Sequence, residues 1–534
     1  MQLIVRTSVS CVLMCSILMY LIVQTAEAVI QPAYGGQIIT PLSVVELELD
    51  PLRIYNWEHL WIGRHLYETL VQFQNGEPRA ALARAWSSTD NKKVWQFYIR
   101  EGVYFADQRP LTATDVKLSL QRTLLHLGRH SLSTPLTDLV GADEFIAGNA
   151  PGSIGITVKD EKTLELRFKH PQHHLISELA QLKYAVLAQG HYDQHAPVGT
   201  GPFFIKSYTP GRTIQVLDRN KNYYRGRPYL DKIIISLGVT PTEAQQAFEA
   251  EEYDFIFQVP GMRIIYPYQE NTKFFRQKRL HSVGTMYFDL NTDHVLLKNA
   301  VFRKAIKLAL DLESIQKILL KGEGSIARSF ISPHLSLHHT LHEPLEFNPG
   351  RARQLVQSLQ RTDSRNQSFV LYVPSGYRLL KYIAGRIQVN LLDTGIKMII
   401  EEQTLSEIEQ RISAAEYDSA LRLYFPESPD PYLILKTQIE HLFSIPIETR
   451  KTILQPIRLQ LALSEEIAHS ESQRMTNLFR FENELLKRNI IIPLFHPSIT
   501  WLEKRNLYGL AFTSTGLLEL ENVWIKPAFT STEE

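Results

Sequence analysis

Both cysteines of this 534-residue chain, Cys11 and Cys15, fall inside one apolar stretch near the N-terminus, Val9 to Val23. Arg6 precedes the stretch, and Thr25-Ala26-Glu27-Ala28 follows it with small residues where a signal peptidase cuts. A positive side chain, a short apolar run and an A-x-A site predict an export signal cleaved after Ala28. The competing reading is an uncleaved membrane anchor, because the apolar run is long and broken only by Ser10 and Ser16. Acylation of Cys15 is disfavoured, since Leu13-Met14 rather than small residues stand before it. Beyond this segment the chain has no cysteine, so it must fold on buried apolar surface without disulfides.

The composition supplies that surface. Hydrophobic residues make up 44% and charged residues 21%, which argues for sizeable cores and against disorder. The length predicts roughly two to four domains. A formal net charge of +1 with no long run of one sign argues against a nucleic-acid partner, which needs a clustered basic surface.

Strand and helix signals alternate along the chain, which predicts a mixed α/β protein. Val94–Ile99 reads as a strand. Thr112-Ala113-Thr114-Asp115 reads as a capping box that opens a helix carrying Val116, Leu120, Leu124 and Leu127 on one face and ending at Gly128. Ile154–Lys159 with Thr163–Lys169, and Phe203–Tyr208 with Thr213–Leu217, read as hairpins, the second turned by Pro210-Gly211. Asn348-Pro349 predicts an N-cap and first helical residue, with the helix running through Leu359. Ser325–Phe347 lacks periodicity and reads as a long surface loop.

No G-x-S-x-G elbow, H-E-x-x-H pair, P-loop or strand-linked G-x-G-x-x-G is present. His334, His338, His339 and His342 cluster in sequence, yet their spacing matches no defined metal-ligand set. His173-His174 and the acidic trio Glu249, Glu251 and Glu252 read as solvated polarity.

Several blocks together resemble the family 5 extracellular solute-binding proteins, the group of oligopeptide-, dipeptide- and nickel-binding proteins. Tyr67-Glu68-Thr69-Leu70 resembles the family's Y-E-x-L, and Pro110 to Val116 its P-x-T-A-x-D-V. Pro197-Val198-Gly199-Thr200-Gly201-Pro202-Phe203 is similar to P-V-G-T-G-P-[YF], and Arg219 to Pro228 to R-N-x-x-Y-x-x-G-x-P. Met286–Asn291, Val301–Ala305 and Ala309–Asp311 resemble the segment that opens the large C-terminal lobe. Gln108 and Ala80 stand where the family usually has Gly and Pro, at positions expected to be loops.

The resemblance implies a periplasmic-binding-protein-like fold of two hinged lobes (type II, with an extra inserted subdomain). Lobe I is expected from 29–57, 184–280 and 492–534, the inserted subdomain from 58–183 and lobe II from 281–491, so the chain crosses between lobes twice. It implies a monomeric periplasmic component of an ABC importer that takes a short peptide to a membrane permease, without catalysis and without a cofactor. A nickel chelate, haem, a sugar or an opine is the alternative ligand on the same fold, and a secreted peptide hydrolase the alternative from another class.

Tyr424 to Pro431 resembles the family's W-x-x-D-x-x-D-P, where the first Asp pairs with a peptide's α-ammonium. Counting back from Asp430-Pro431 places Glu427 at that position and Tyr424 at the aromatic one. A carboxylate in a dehydrated cleft gains more from a cation than it would in water. Arg411 and Arg422 flank the segment as candidates for a ligand carboxylate, and Tyr55, Asn56 and Trp57 as residues of a loop facing the cleft.

Overall fold

The computed structural model describes residues 31–526 except 55–56, 75, 130–133, 150–153, 191–196, 209–213, 259–273, 281–283, 323, 336–345, 360–367, 376 and 457–470. The export segment with both cysteines, Tyr55, Asn56, the Pro210-Gly211 turn, and His338, His339 and His342 lie outside the described residues. No helix among the described residues is long and apolar enough to cross a membrane.

The α/β architecture expected from the alternating signals is present, distributed over separate sheets. Strand Gln37–Pro41 pairs in parallel with Lys232–Ser236, which continues antiparallel to Ile214–Arg219 and Phe203–Ser207. A three-stranded sheet places Ile499–Lys504 between Phe255–Gln258 and Phe275–Leu280. Both sheets contribute to one core, with Ile38, Phe203, Ile233, Phe255 and Trp501 in it. Helix Trp57–Leu66 buries Leu60, Trp61 and Leu66 in this same core. It packs in this core although the insert is expected to begin at 58.

The four-stranded antiparallel sheet Ala83–Thr89, Val94–Ile99, Thr163–Arg167 and Ile156–Asp160 is covered by helix Ala113–Arg129 over its own core. That helix opens as the sequence indicated: Thr112 N–H donates to Asp115 Oδ2 (3.0 Å) and Asp115 N–H to Thr112 Oγ1 (3.4 Å). It does not stop at Gly128. Gly128 lies inside it because Ile146 packs against that point, where a Cβ would stand 2.7 Å from Ile146 Cδ1. Gln108 sits in a turn at φ 71°, a left-handed conformation that explains why Gly suits this position. Ala80, by contrast, lies in strand Glu77–Ala80, paired with Val71.

Three of the sequence blocks meet at one point. The buried Glu68 accepts hydrogen bonds from Thr200 Oγ1 (2.9 Å), Tyr223 OH (3.1 Å) and Tyr224 OH (3.0 Å). Asn220 N–H donates to Pro202 O (2.7 Å). Gly199 and Gly201 pass so close to the Leu66 and His65 carbonyls that any Cβ would overlap backbone. These residues thus tie the insert to the lobe beneath it.

The largest sheet has six strands in the order Ser325–Ile326, Ile491–His496, Thr285–Leu290, Ser419–Tyr424, Phe369–Pro374 and Met398–Gln403. Thr285–Leu290 is buried on both faces. Met286, Phe288 and Leu290 meet helices Ala300–Ala309 and Arg378–Leu392 on one side, and Tyr287 meets helices Pro431–Ser444 and Glu471–Lys487 on the other. Asp289, also fully buried, accepts from Arg450 Nη2 (2.6 Å), which donates as well to Leu290 O (2.9 Å) and Tyr417 OH (2.8 Å).

Ile491–His496 pairs with this sheet along its length, although the return to lobe I is expected at 491–492. Part of the segment expected to be a surface loop is buried: Ser325–Ile326 pairs with Phe495–His496, and Ser329 Oγ and Phe330 N–H both donate to Glu482 Oε1 (2.7 Å each). A side-chain carboxylate satisfies that backbone, so no periodicity marks it.

Two measurements check this account. Gly199→Ala is expected to cost roughly 1–3 kcal/mol by overpacking, read as a lower urea midpoint. Asp289→Ala, which leaves Arg450 buried without its carboxylate, is expected to cost about 3–5 kcal/mol, read in the same unfolding experiment.

Candidate ligand-binding cleft

A cavity of about 720 Å³ lies between the lobes. On the lobe II side it sits at the carboxyl ends of the parallel strands Phe369–Pro374 and Ser419–Tyr424, with Pro374 and Leu423–Phe425 in its wall. This is where open α/β sheets generally take ligands, because the strands end there and loops of free shape begin. The facing wall comes from Pro51–Ile54, Trp57 and Leu60 and from Gln181 and Lys183.

The segment picked out by sequence spans the strand end, a loop and a helix start. Tyr424 closes the strand. Asp430 caps helix Pro431–Ser444, accepting from Tyr432 N–H (2.9 Å) and pairing with Arg474 (2.8 Å), with Pro431 at the first helical position. Between them Glu427 reaches across the cleft: its Oε2 accepts from Leu182 N–H at 2.8 Å. Glu427, Tyr424, Trp57 and Arg422 all line the cavity. The Trp57 indole packs edge-on to Phe257 (5.3 Å) and lies 6.0 Å from Phe425, so it touches both walls.

The two arginines separate. Arg422 faces the cavity but is engaged by Asp289 (3.5 Å) and Glu409 (3.4 Å) and lies over the Tyr287 ring. Arg411 is not in the cavity wall; its guanidinium packs over Tyr372 (5.1 Å) and donates to Gln403 Oε1 (2.8 Å).

Several wall residues carry charge that the motif does not announce. Lys436 forms a largely buried ion pair with Glu178 across the cleft. Burial works against the Lys436 charge, and the Glu178 carboxylate outweighs it and holds the lysine above its usual pKa. Lys183 lies near Glu178, Lys436, Glu427 and Glu440, and burial pulls its pKa down. Burial likewise pushes the Glu427 carboxyl above its usual range, opposed by Leu182 N–H, Arg64 and Lys183. Around this end of the cavity three carboxylates, Glu178, Glu427 and Glu440, face two ammonium groups, Lys183 and Lys436. Arg64 lies near Glu427, Glu519 and Glu521. At another point of the cleft Tyr377 OH meets Ser43 Oγ (2.7 Å), which donates to the buried Glu58 (2.5 Å).

The one signal in sequence for these residues is helical spacing. Lys436 and Glu440 fall one turn apart on the helix that Asp430-Pro431 opens. Glu178 and Lys183 carry no such mark. Among the described residues no group of three or more His, Cys, Asp or Glu side chains is placed to hold a metal ion.

A sequence profile for bacterial extracellular solute-binding proteins, family 5 (middle), matches residues 77–439. The nickel-binding periplasmic protein of Escherichia coli K12 is 20% identical over 92% of this chain and 95% of its own. Di/tripeptide-binding protein 2 of Pseudomonas aeruginosa is 24% identical over 86% and 89%. Among solved structures, the oligopeptide-binding protein AppA of Bacillus subtilis with a nonapeptide superposes with a TM-score of 0.78 at 20% identity, covering 93% of this chain and 100% of that one. The protein NikA of Brucella suis with Fe(III)-EDTA gives 0.75 at 19% identity, covering 92% and 100%. The match spans most of the described chain from the insert through lobe II, and on it this chain belongs to family 5 of the bacterial extracellular solute-binding proteins, the periplasmic solute-binding components of ABC importers.

Proposed function

We propose that this chain is exported, loses its signal after Ala28, and captures short peptides in the periplasm by their N-terminal ammonium for delivery to an ABC permease. The observation that carries this reading is Glu427 itself, a buried carboxylate in the cavity wall whose pKa burial raises and whose Oε2 accepts from Leu182 N–H. A peptide's ammonium is a cation suited to pair with it, and in a dehydrated cleft such a pair is worth far more than at a surface. Similarity to di/tripeptide- and oligopeptide-binding relatives supports the same ligand class.

Capture requires closure and no bond making. The contacts of Glu427 with Leu182 and Lys436 with Glu178 join lobe II to the opposite wall, so a ligand that satisfies Glu427 favours the closed arrangement by its differential affinity. A permease then reads the closed form. Main-chain hydrogen bonds to the peptide supply affinity that does not depend on its sequence. We assign Glu427 as the ammonium anchor, with Tyr424 and Trp57 flanking it. Arg422 carries balanced charge and no ligand carboxylate.

Calorimetric titration with a tripeptide and its N-acetyl derivative tests the reading. The acetylated peptide is expected to bind about 10–100-fold more weakly, the loss of a hydrogen bond to a charged group, and Glu427→Gln is expected to erase most of that difference. Equal binding of both peptides, or their hydrolysis by the protein, overturns it.

The pH dependence has a definite sign. Burial raises the Glu427 pKa above 4.5, whereas an ammonium partner favours the ionised carboxylate. Binding therefore releases a proton at mildly acid pH. Affinity is expected to rise with pH through the raised Glu427 pKa and then level off until the peptide amine itself deprotonates near about 7.7–8.0. The slope is expected to vanish in Glu427→Gln.

A further inference from the structure

The far arm of the cavity differs from the Glu427 end. The strand register brings its wall together: Pro374 pairs with Gln403, and Ser375 N–H donates to Gln403 O (2.7 Å), which sets Leu405 beside the end of the neighbouring strand. Tyr377 and Leu380 stand at the start of helix Arg378–Leu392, and Ile408 lies one turn beyond Leu405 on helix Leu405–Ser413. Leu421 comes from the next strand inward, where Leu371 and Tyr372 pair with Ser419 and Ala420. All of these line the cavity.

Arg422 in the wall here is matched by Glu409 at 3.4 Å and Asp289 at 3.5 Å. An apolar group entering among these side chains would be removed from water against apolar walls, whereas an acidic group would meet the Glu409 carboxylate in the same wall.

Resting on the peptide reading above, we infer that the cleft selects peptides carrying a large aliphatic or aromatic side chain, seated among Pro374, Tyr377, Leu380, Leu405, Ile408 and Leu421. The ammonium at Glu427 fixes the peptide's register, and the distance from that anchor to the apolar arm determines which residue of the peptide is chosen. The cleft thus combines tolerance along the backbone with one position of side-chain choice.

The test is a panel of tripeptides in which each residue of trialanine is replaced in turn by Leu, Phe, Asp or Lys, titrated into the full mature protein. At one position Leu or Phe is expected to bind at least about tenfold more tightly than Ala, given the apolar carbons buried, and Asp to bind more weakly than Ala. Leu405→Asp, at a half-exposed helix position that tolerates the change, is expected to collapse the ratio between Leu and Ala peptides at that position. Affinities that stay within about threefold across all side chains at every position overturn the inference and leave peptide capture standing. If no peptide of the panel binds, the peptide reading itself falls, and this inference with it.

Discussion

The chain leaves lobe I and returns to it through two strands that lie side by side on both sides of the boundary. Leu280 pairs with Ile499 in the three-stranded sheet, and Met286 pairs with Phe495 in the six-stranded one. By chain connectivity everything between Thr285 and His496 joins the rest of the molecule at two adjacent points, and the cleft contacts of Glu427, Lys436 and Tyr377 add to them. His496 Nδ1 lies 3.2 Å from Gly284 O and 3.1 Å from Thr285 Oγ1, which joins the two connections to each other. Gly284 has no side chain because Phe425 and the Tyr424 carbonyl approach within 3 Å of where a Cβ would stand. Paired connections of this kind are where a hinged two-lobed fold has its joint.

Where that joint places the lobes, the cleft contacts follow. The Tyr424–Phe425 step touches the joint, and two residues further on Glu427 reaches Leu182. Glu427 and the glycine that shapes the joint are thus connected through a few residues of one loop. On the peptide reading proposed above, the Glu427 end and the apolar arm set the direction in which a peptide lies, and binding energy at Glu427 is spent partly on closing the lobes, so the affinity measured is smaller than the pair itself gives.

Much of the scaffold was legible in the sequence because it rests on local chemistry. The capping box at Thr112 and Asp115, the cap at Asp430 and the closely approached Gly199 and Gly201 each depend on residues a few positions apart. Glu427 and Tyr424 were within reach for the same reason, as fixed offsets from Asp430-Pro431. What escaped was set by packing between distant segments. Glu178 and Lys436 meet only once the lobes are assembled, and the one local mark is the helical spacing of Lys436 with Glu440. Arg411 and Arg422 look alike along the chain, yet one side chain turns to Tyr372 and the other to the cavity. The stretch after Ser325 reads as loop because a single carboxylate, Glu482, replaces the repeating hydrogen bonds that leave a periodic trace. The packing of helix Trp57–Leu66 and the pairing of strand Ile491–His496 escaped for a related reason: burial, and not chain position, decides which core an element joins.

The central claim is that the cleft holds a short peptide by its free N-terminus. Native mass spectrometry of the mature protein, purified from its source without a refolding step, tests this most directly. The account predicts bound masses that match short peptides with unblocked N-termini and that are released on denaturation. A bound metal chelate or haem, or a protein that takes up no peptide from a mixture, would contradict it.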